Sequence, residues 1–398
     1  MLNFTFHNPT KILFGQGRLN ELGREAAKWG QRVLVVSGRG SVKRTGLYDI
    51  VMDQLHAAQL TVYELPGIEP NPRVSSVRQG VSLCQEHHMD LILAVGGGST
   101  IDAAKAIAAG ACYNGDVWDF FSKQRVIEAA LPLGVILTLA ATGSEANKNA
   151  VITNWETHEK LGTGSNHLFP RFSILDPTLT FTVPRNHTAY GAIDTMAHVF
   201  EQYFHPTPDT PLQDRFSEGI LRTVIENLPL ALQEPENYAA RANLMWCSTL
   251  ALNSLIGVGL DDDWACHAIE HELSGFYDIP HGAGLAIVFP QWMRYVMAAR
   301  PERFAQYAQR VWDEPADGRS IEELGTAGIE RTEQFFLSVD VPIRLKDWNI
   351  DETHFMAASK RATRHGALGS LQPLQAADVY EILRMCVAPP IPQKGDVS

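Results

Sequence analysis

At 398 residues the chain is too long for one ordinary hydrophobic core, which predicts two domains. Its 45% hydrophobic and 20% charged residues are those of a globular protein rather than a disordered or fibrous one. A formal net charge of -12 argues against a nucleic-acid or anionic-membrane partner, because either needs a clustered basic surface, and it favours a small molecule.

The N-terminal MLNFTFHNPTKILFG has no basic segment followed by an apolar stretch, and no run of about 18 apolar residues follows it. No membrane association or export is expected. Five widely spaced cysteines form no CxxC pair and read as reduced thiols in the cytoplasm.

The first half alternates short β-branched runs with helical stretches: RVLVVSG (32–38), DLILAVGGGS (90–99), GVILTLAATGS (134–144) and RFSILDP (171–177). This predicts an α/β domain with a parallel sheet. The first run ends in Gly38-Arg39-Gly40-Ser41, where the adenosine ribose of a dinucleotide would lie at the strand's carboxyl end. An acidic residue there would favour a free ribose 2'-hydroxyl, whereas Arg39 can hold a 2'-phosphate, so NADP(H) is favoured over NAD(H).

The second run passes through Gly96-Gly97-Gly98-Ser99 into the helix-forming IDAAKAIAAG. Glycines let the backbone approach a phosphate, and the N–H groups and dipole of the helix start supply positive charge, so Gly97, Gly98 and Ser99 are expected to cradle a pyrophosphate. Asp102 joins this set, although Ser99 and Asp102 also have the spacing of a helix capping pair. The GGGS run does not meet the GxGxxG fingerprint. A third polar cluster supplies Thr138, Leu139 and Thr142, with Asn147 and Asn149 beyond, as candidates to line the same cleft; alone it reads equally as a strand-to-helix turn.

Prolines and polar residues in DPTLTFTVPRNHT (176–188) place a boundary near Pro184. The expected domains are 1–184, α/β and dinucleotide-binding, and 185–398, all-α and metal-binding. Segments such as RFSEGILRTVIENLPLAL and RANLMWCSTLALNSLIG have helical periodicity and no strand pattern, and the C-terminal APPIPQKGDVS reads as a frayed end.

In the helical half, Asp194 and His198 are four residues apart and share one helix face. His267, His271 and His281 lie within fifteen residues, the first two again at i,i+4 spacing. Asp194, His198, His267 and His281 give three nitrogens and one oxygen, a set suited to one divalent ion, Zn2+ or Fe2+. Spacing alone leaves His271 and His281 competing for the fourth place. Glu201, Asp261, Asp262 and Glu270 read as solvated helix charges or caps, outside the site. Trp118, Phe120 and Trp264 read as core rather than as substrate lining.

Taken together, NPTKILFGQG, GIEPNPR (67–73), AVGGGSTIDAAK, TLAATGSEAN, LDPTLTFTVP, AIDTMAHVFEQY and HAIEHELSGFYDIPHG span nearly the whole chain. In these motifs it resembles the iron-containing, or group III, alcohol dehydrogenases, and more closely their butanol-dehydrogenase-like NADPH-dependent aldehyde reductase branch. The resemblance implies hydride transfer between a nicotinamide dinucleotide and small aldehydes or primary alcohols, with a divalent ion in the cleft between the two domains. It selects Asp194, His198, His267 and His281 as ligands and makes His271 a candidate proton carrier. It also adds Asn71, Lys160 and Leu179 as cofactor contacts, and a homodimer.

The chain departs from that pattern at Arg39, where many members carry a small or acidic residue, and at Glu272, where many carry proline. Glu272 directly follows His271 and is expected to alter its surroundings. The rival reading is a metal- and NAD-dependent lyase or cyclase on the related dehydroquinate-synthase-like scaffold, which needs a more basic pocket for a phosphorylated, carboxylated substrate.

Overall fold

Apolar runs buried on both sides build the first half of the chain. A computed structural model describes residues 1–387, so APPIPQKGDVS lies outside the described residues. Eight strands form: β1 (Lys11–Phe14), β2 (Arg32–Gly38), β3 (Thr61–Ile68), β4 (Leu91–Gly96), β5 (Leu133–Leu137), β6 (Asn149–Asn154), β7 (Glu159–Gly164) and β8 (Phe172–Leu175). Six make an all-parallel sheet in the order β1-β8-β5-β4-β2-β3, while β6 and β7 pair separately as an antiparallel hairpin.

Alternation sends Leu34, Val36, Ile92 and Ala94 into one hydrophobic cluster and Val33, Val35, Leu91, Leu93 and Val95 into another. Two buried faces are what a parallel sheet covered by helices requires. The sheet also has a reversal point: β2 pairs with β3 on one side and β4 on the other. Ser37 stands opposite Val95 and Gly96 opposite Leu137, so the turns after β2, β4 and β5 emerge side by side at the strands' carboxyl ends. Open α/β sheets bind ligands at such a switch point.

Beyond Pro184 no strand forms among the described residues. Long helices follow, including Arg185–Tyr203, Pro211–Gln233, Tyr238–Ala251, Ala265–Tyr277 and His281–Val296. Contacts divide the described chain into two compact units. A sheet unit holds Thr5–Thr195 with Glu226–Ile256, and a helical unit holds Met1–Phe4, Met196–Ile225 and the chain from Gly257 on. Compactness therefore divides the protein differently from chain order. The Glu226–Ile256 stretch joins the sheet unit through Thr249, whose hydroxyl donates to Glu145 at 2.6 Å, and Arg241, which donates to Thr188 at 2.8 Å.

In the helical unit Phe200 and Phe289 pack with ring centroids 5.4 Å apart, and Phe204 stacks on Phe304 at 4.4 Å. Buried Arg303 donates to both carboxylate oxygens of Asp214, at 2.7 and 2.6 Å, and to the Tyr203 carbonyl at 2.7 Å. Such charge-assisted bonds fix the end of the Arg185–Tyr203 helix where its imidazole must be held still.

Candidate cofactor and metal sites

In the sheet unit, the helix Gly98–Ala111 starts directly after β4. Its N-cap is Gly97, with extended backbone and no side-chain cap. The capping-pair alternative for Ser99 and Asp102 is therefore set aside: a fourteen-residue helix begins at a glycine N-cap with no side-chain cap, the arrangement that suits an anion. Gly97 and Ser99 are half-buried at this opening.

The glycines also let the next turn close in. A β-carbon at Gly98 would stand 2.4 Å from Thr142 Cγ2, and one at Gly97 would stand 3.1 Å from Leu139 Cβ. The strand run read as 134–144 ends at Leu137; residues beyond it form a loop with one short turn of 3-10 helix, Ser144–Ala146, leading to β6 rather than to a helix. Thr138, Leu139 and Thr142 are half-buried beside the glycine turn.

Asp102, Asn147 and Asn149 hold this loop in shape. Asp102 accepts from Ser144 Oγ at 2.6 Å and from the Val151 N–H at 2.9 Å. Asn147 Oδ1 accepts from the Asn149 N–H, and its amide donates to the Gly143 carbonyl. At the centre stands Lys105, which the sequence reading passed over. Fully buried, it donates to Ser144 Oγ at 2.9 Å, Asn147 Oδ1 at 2.9 Å and the Asn149 carbonyl at 2.8 Å. Burial pulls its ammonium down to about 8 against the opposing pull of Asp102 and Glu145. A single lysine among the alanines of this helix was the available signal.

Gly38 and Gly40 flank exposed Arg39 at the end of β2, and Ser41 opens a one-turn helix. Arg39 is ion-paired with Glu69, which also lies 3.5 Å from Arg73. Asn71 is buried with a left-handed backbone, φ 49, between two prolines after β3. Lys160 is buried on β7 opposite Thr153, and its charge acts on Asp102. Leu179 lies in the short Pro177–Thr180 turn and packs on the sheet core.

In the helical unit three helix segments bring imidazoles together. His198 stacks on His267 with centroids 4.8 Å apart, and His267 lies 5.3 Å from His281, the first residue of its helix. Burial, reinforced by His267 and His281, pushes His198 well below the ordinary histidine range, and the neutral ring is the form that binds a metal. Asp194, buried one turn before His198 on the same helix, falls in the sheet unit. His271 comes within 5.7 Å of the His281 ring, and Glu270, His271 and His281 offer ligand atoms within 4.8 Å of one another. Trp264 is not simply core: half-buried, it meets His267 edge-on at 5.2 Å and lies 6.3 Å from His198.

Two carboxylates were misread from the sequence. Glu201 and Glu270 are both fully buried, not solvated. Glu201 Oε1 lies 2.8 Å from His267 Nδ1 and accepts from the His267 backbone N–H at 2.9 Å. Glu270 pairs through Oε2 with His281 Nδ1 and accepts through Oε1 from Ser274 Oγ. Glu272, by contrast, is ion-paired with Arg361 at 2.8 Å.

Residues 9–177 match the family model for iron-containing alcohol dehydrogenase, and residues 188–387 match the C-terminal model of the same family. The chain belongs to the iron-containing alcohol dehydrogenase family. It is 51% identical to the probable NADH-dependent butanol dehydrogenase 1 of Bacillus subtilis, over 96% of this chain and 99% of the relative. With the NADPH-dependent aldehyde reductase YqhD of Escherichia coli it shares 43%, over 92% and 94%. The crystal structure of an NADH-dependent butanol dehydrogenase A from Thermotoga maritima superposes with a TM-score of 0.94 at 42% identity, covering 98% of this chain and 99% of that one. This membership makes the chain an oxidoreductase of the alcohol dehydrogenase type and lends the cyclase reading no support. Among the described residues no helix is long and apolar enough to cross a membrane.

Proposed function

We propose that the chain moves a hydride between a nicotinamide dinucleotide and a small aldehyde or primary alcohol, with one divalent ion, Fe2+ or Zn2+, held by Asp194, His198, His267 and His281. The observation that carries this reading is the cluster of three imidazoles, with His198 buried and held below the ordinary histidine range and the other two backed by carboxylates. That donor set suits a borderline divalent metal. When bound, the ion supplies Lewis-acid polarisation of the carbonyl oxygen, and the nicotinamide supplies the hydride.

The chain's own residues do the rest. Gly97, Gly98 and Ser99 present backbone N–H groups and an uncapped helix start to the pyrophosphate, while Thr138, Leu139 and Thr142 form the wall beside it. Asp102, Lys105, Asn147 and Asn149 keep that wall in place, with Lys160 close by. Gly38, Gly40, Ser41, Asn71 and Leu179 complete the dinucleotide contacts. His271 carries the proton to the product oxygen. The Glu272 charge beside it is taken by Arg361.

Arg39 gives a 2'-phosphate its partner and tilts the chain towards NADP(H), while Glu69 competes for the same guanidinium and moderates that tilt. The working division is 1–184 for the dinucleotide and 185–398 for the ion, in a cytoplasmic homodimer.

The test is reduction of butanal followed by loss of NADPH absorbance, in the unaltered protein and in His267→Ala. The variant is expected to lose bound metal and activity while still quenching NADPH fluorescence on binding. Full activity in metal-free protein overturns the proposal.

A further inference from the structure

We infer that Glu201 and Glu270 are positioning residues for the ion site. Each fixes the tautomer and the direction of one imidazole, so that His267 and His281 present Nε2 to the metal. The inference rests on the ion-site reading above and extends it to two residues that touch neither substrate nor cofactor.

An imidazole is a ligand at one nitrogen only when the other carries the proton, and that proton goes where the second nitrogen finds an acceptor. In both rings the acceptor is a carboxylate at Nδ1. The two carboxylates come from different helices. Glu201 sits one turn after His198, so the helix bearing one imidazole also orients a second from across the unit. Its Oε1 takes both the ring proton and the backbone N–H of His267, tying the ring to the first turn of the Ala265–Tyr277 helix.

Glu270 lies one turn beyond His267 and reaches the first residue of the next helix. It is held from behind by Ser274, and it has room because residue 284 is glycine. A β-carbon there would stand 2.8 Å from Glu270 Cγ. Complete burial of both acids argues against a role as surface charge, since an enclosed carboxylate needs a partner that repays its desolvation. A histidine pair backed in this way and facing a cation meets that need.

Glu201→Leu and Glu270→Gln separate orientation from folding. Leucine removes the one oxygen that faces both His267 nitrogens and leaves that ring undirected. In Glu270→Gln the amide oxygen can still accept the Ser274 hydroxyl. Its NH2 group, however, can turn to Nδ1 and favour the tautomer protonated at Nε2, which cannot bind a metal.

Zinc affinity, measured by competition with a chromogenic chelator, is expected to fall about 10- to 100-fold in each variant. The melting temperature of metal-free Glu270→Gln should stay unchanged. In the cobalt-substituted variants the visible absorption bands should keep the wild-type positions, because the ligand count is the same.

Unchanged zinc affinity in both variants overturns the inference. So does a cobalt spectrum for Glu270→Gln showing a lost ligand, which would make Glu270 a member of the Glu270-His271-His281 set. Wild-type protein that binds no stoichiometric zinc or cobalt overturns the ion-site reading itself, and so the two failures are distinguishable.

Discussion

Gly98 shows how much one missing side chain does. Because a β-carbon would collide with the Thr142 side chain, Gly98→Ala is expected to cost about 1–3 kcal/mol in urea unfolding and to weaken dinucleotide binding in fluorescence titration. Arg39 works by charge instead. Glu69→Gln frees its guanidinium and should raise the ratio of kcat/KM for NADPH over NADH, whereas Arg39→Asp should lower it. An unchanged ratio in both removes the pair from cofactor choice. The Asp194/His198 and His267/His271 pairings were legible because i,i+4 spacing is a property of the helix itself, whereas the choice of His281 came from the resemblance. Glu201 and Glu270 were not, since an acid on a helix is ordinarily solvated and only the packing of three helices shows what encloses it. Lys105 escaped notice for the same reason: its three acceptors come from a loop about forty residues away, and no local pattern announces them.

At the scale of elements, the helix Gly98–Ala111 carries both the uncapped start and the buried lysine that secures its neighbouring loop. Lys105→Met leaves three acceptors without their donor and removes one of the two cations that act on Asp102, and should cost about 3–5 kcal/mol in urea unfolding near neutral pH. The pH dependence has a definite sign. The folded-state ammonium loses its proton near 8 and the unfolded one near 10.5, so between these values the unfolded chain holds the extra proton. Over that window the stability of the unaltered protein, taken relative to Lys105→Met, should rise with pH. Among the strands, the central apolar runs were legible, since burial on both faces leaves an unbroken signature. Edge strands β1 and β3 were not. β1 has four residues, and β3 carries Pro66 and Gly67, which an edge tolerates and a central strand does not. The hairpin β6–β7 was hidden by its polar composition, NAVITN and EKLGTG.

For the whole molecule, the change of pattern near Pro184 was legible because strand and helix periodicities differ. The return of Glu226–Ile256 to the sheet unit was not, because helical periodicity does not say which partner a helix chooses. An ion that binds the folded chain alone stabilises it by mass action, about 2.7 kcal/mol at 100 times its dissociation constant. Chelator treatment should therefore lower the melting temperature, and added zinc should restore it, in a calorimetric scan. Sedimentation is expected to give twice the chain mass. The Arg39–Glu69 pair lies at the surface, where no core depends on it, while the glutamates behind the imidazoles are enclosed and Glu270 needs Gly284 to make room. A change at Arg39 or Glu69 is therefore expected to be tolerated singly, whereas one at Glu201 or Glu270 has to be matched by the imidazole it faces.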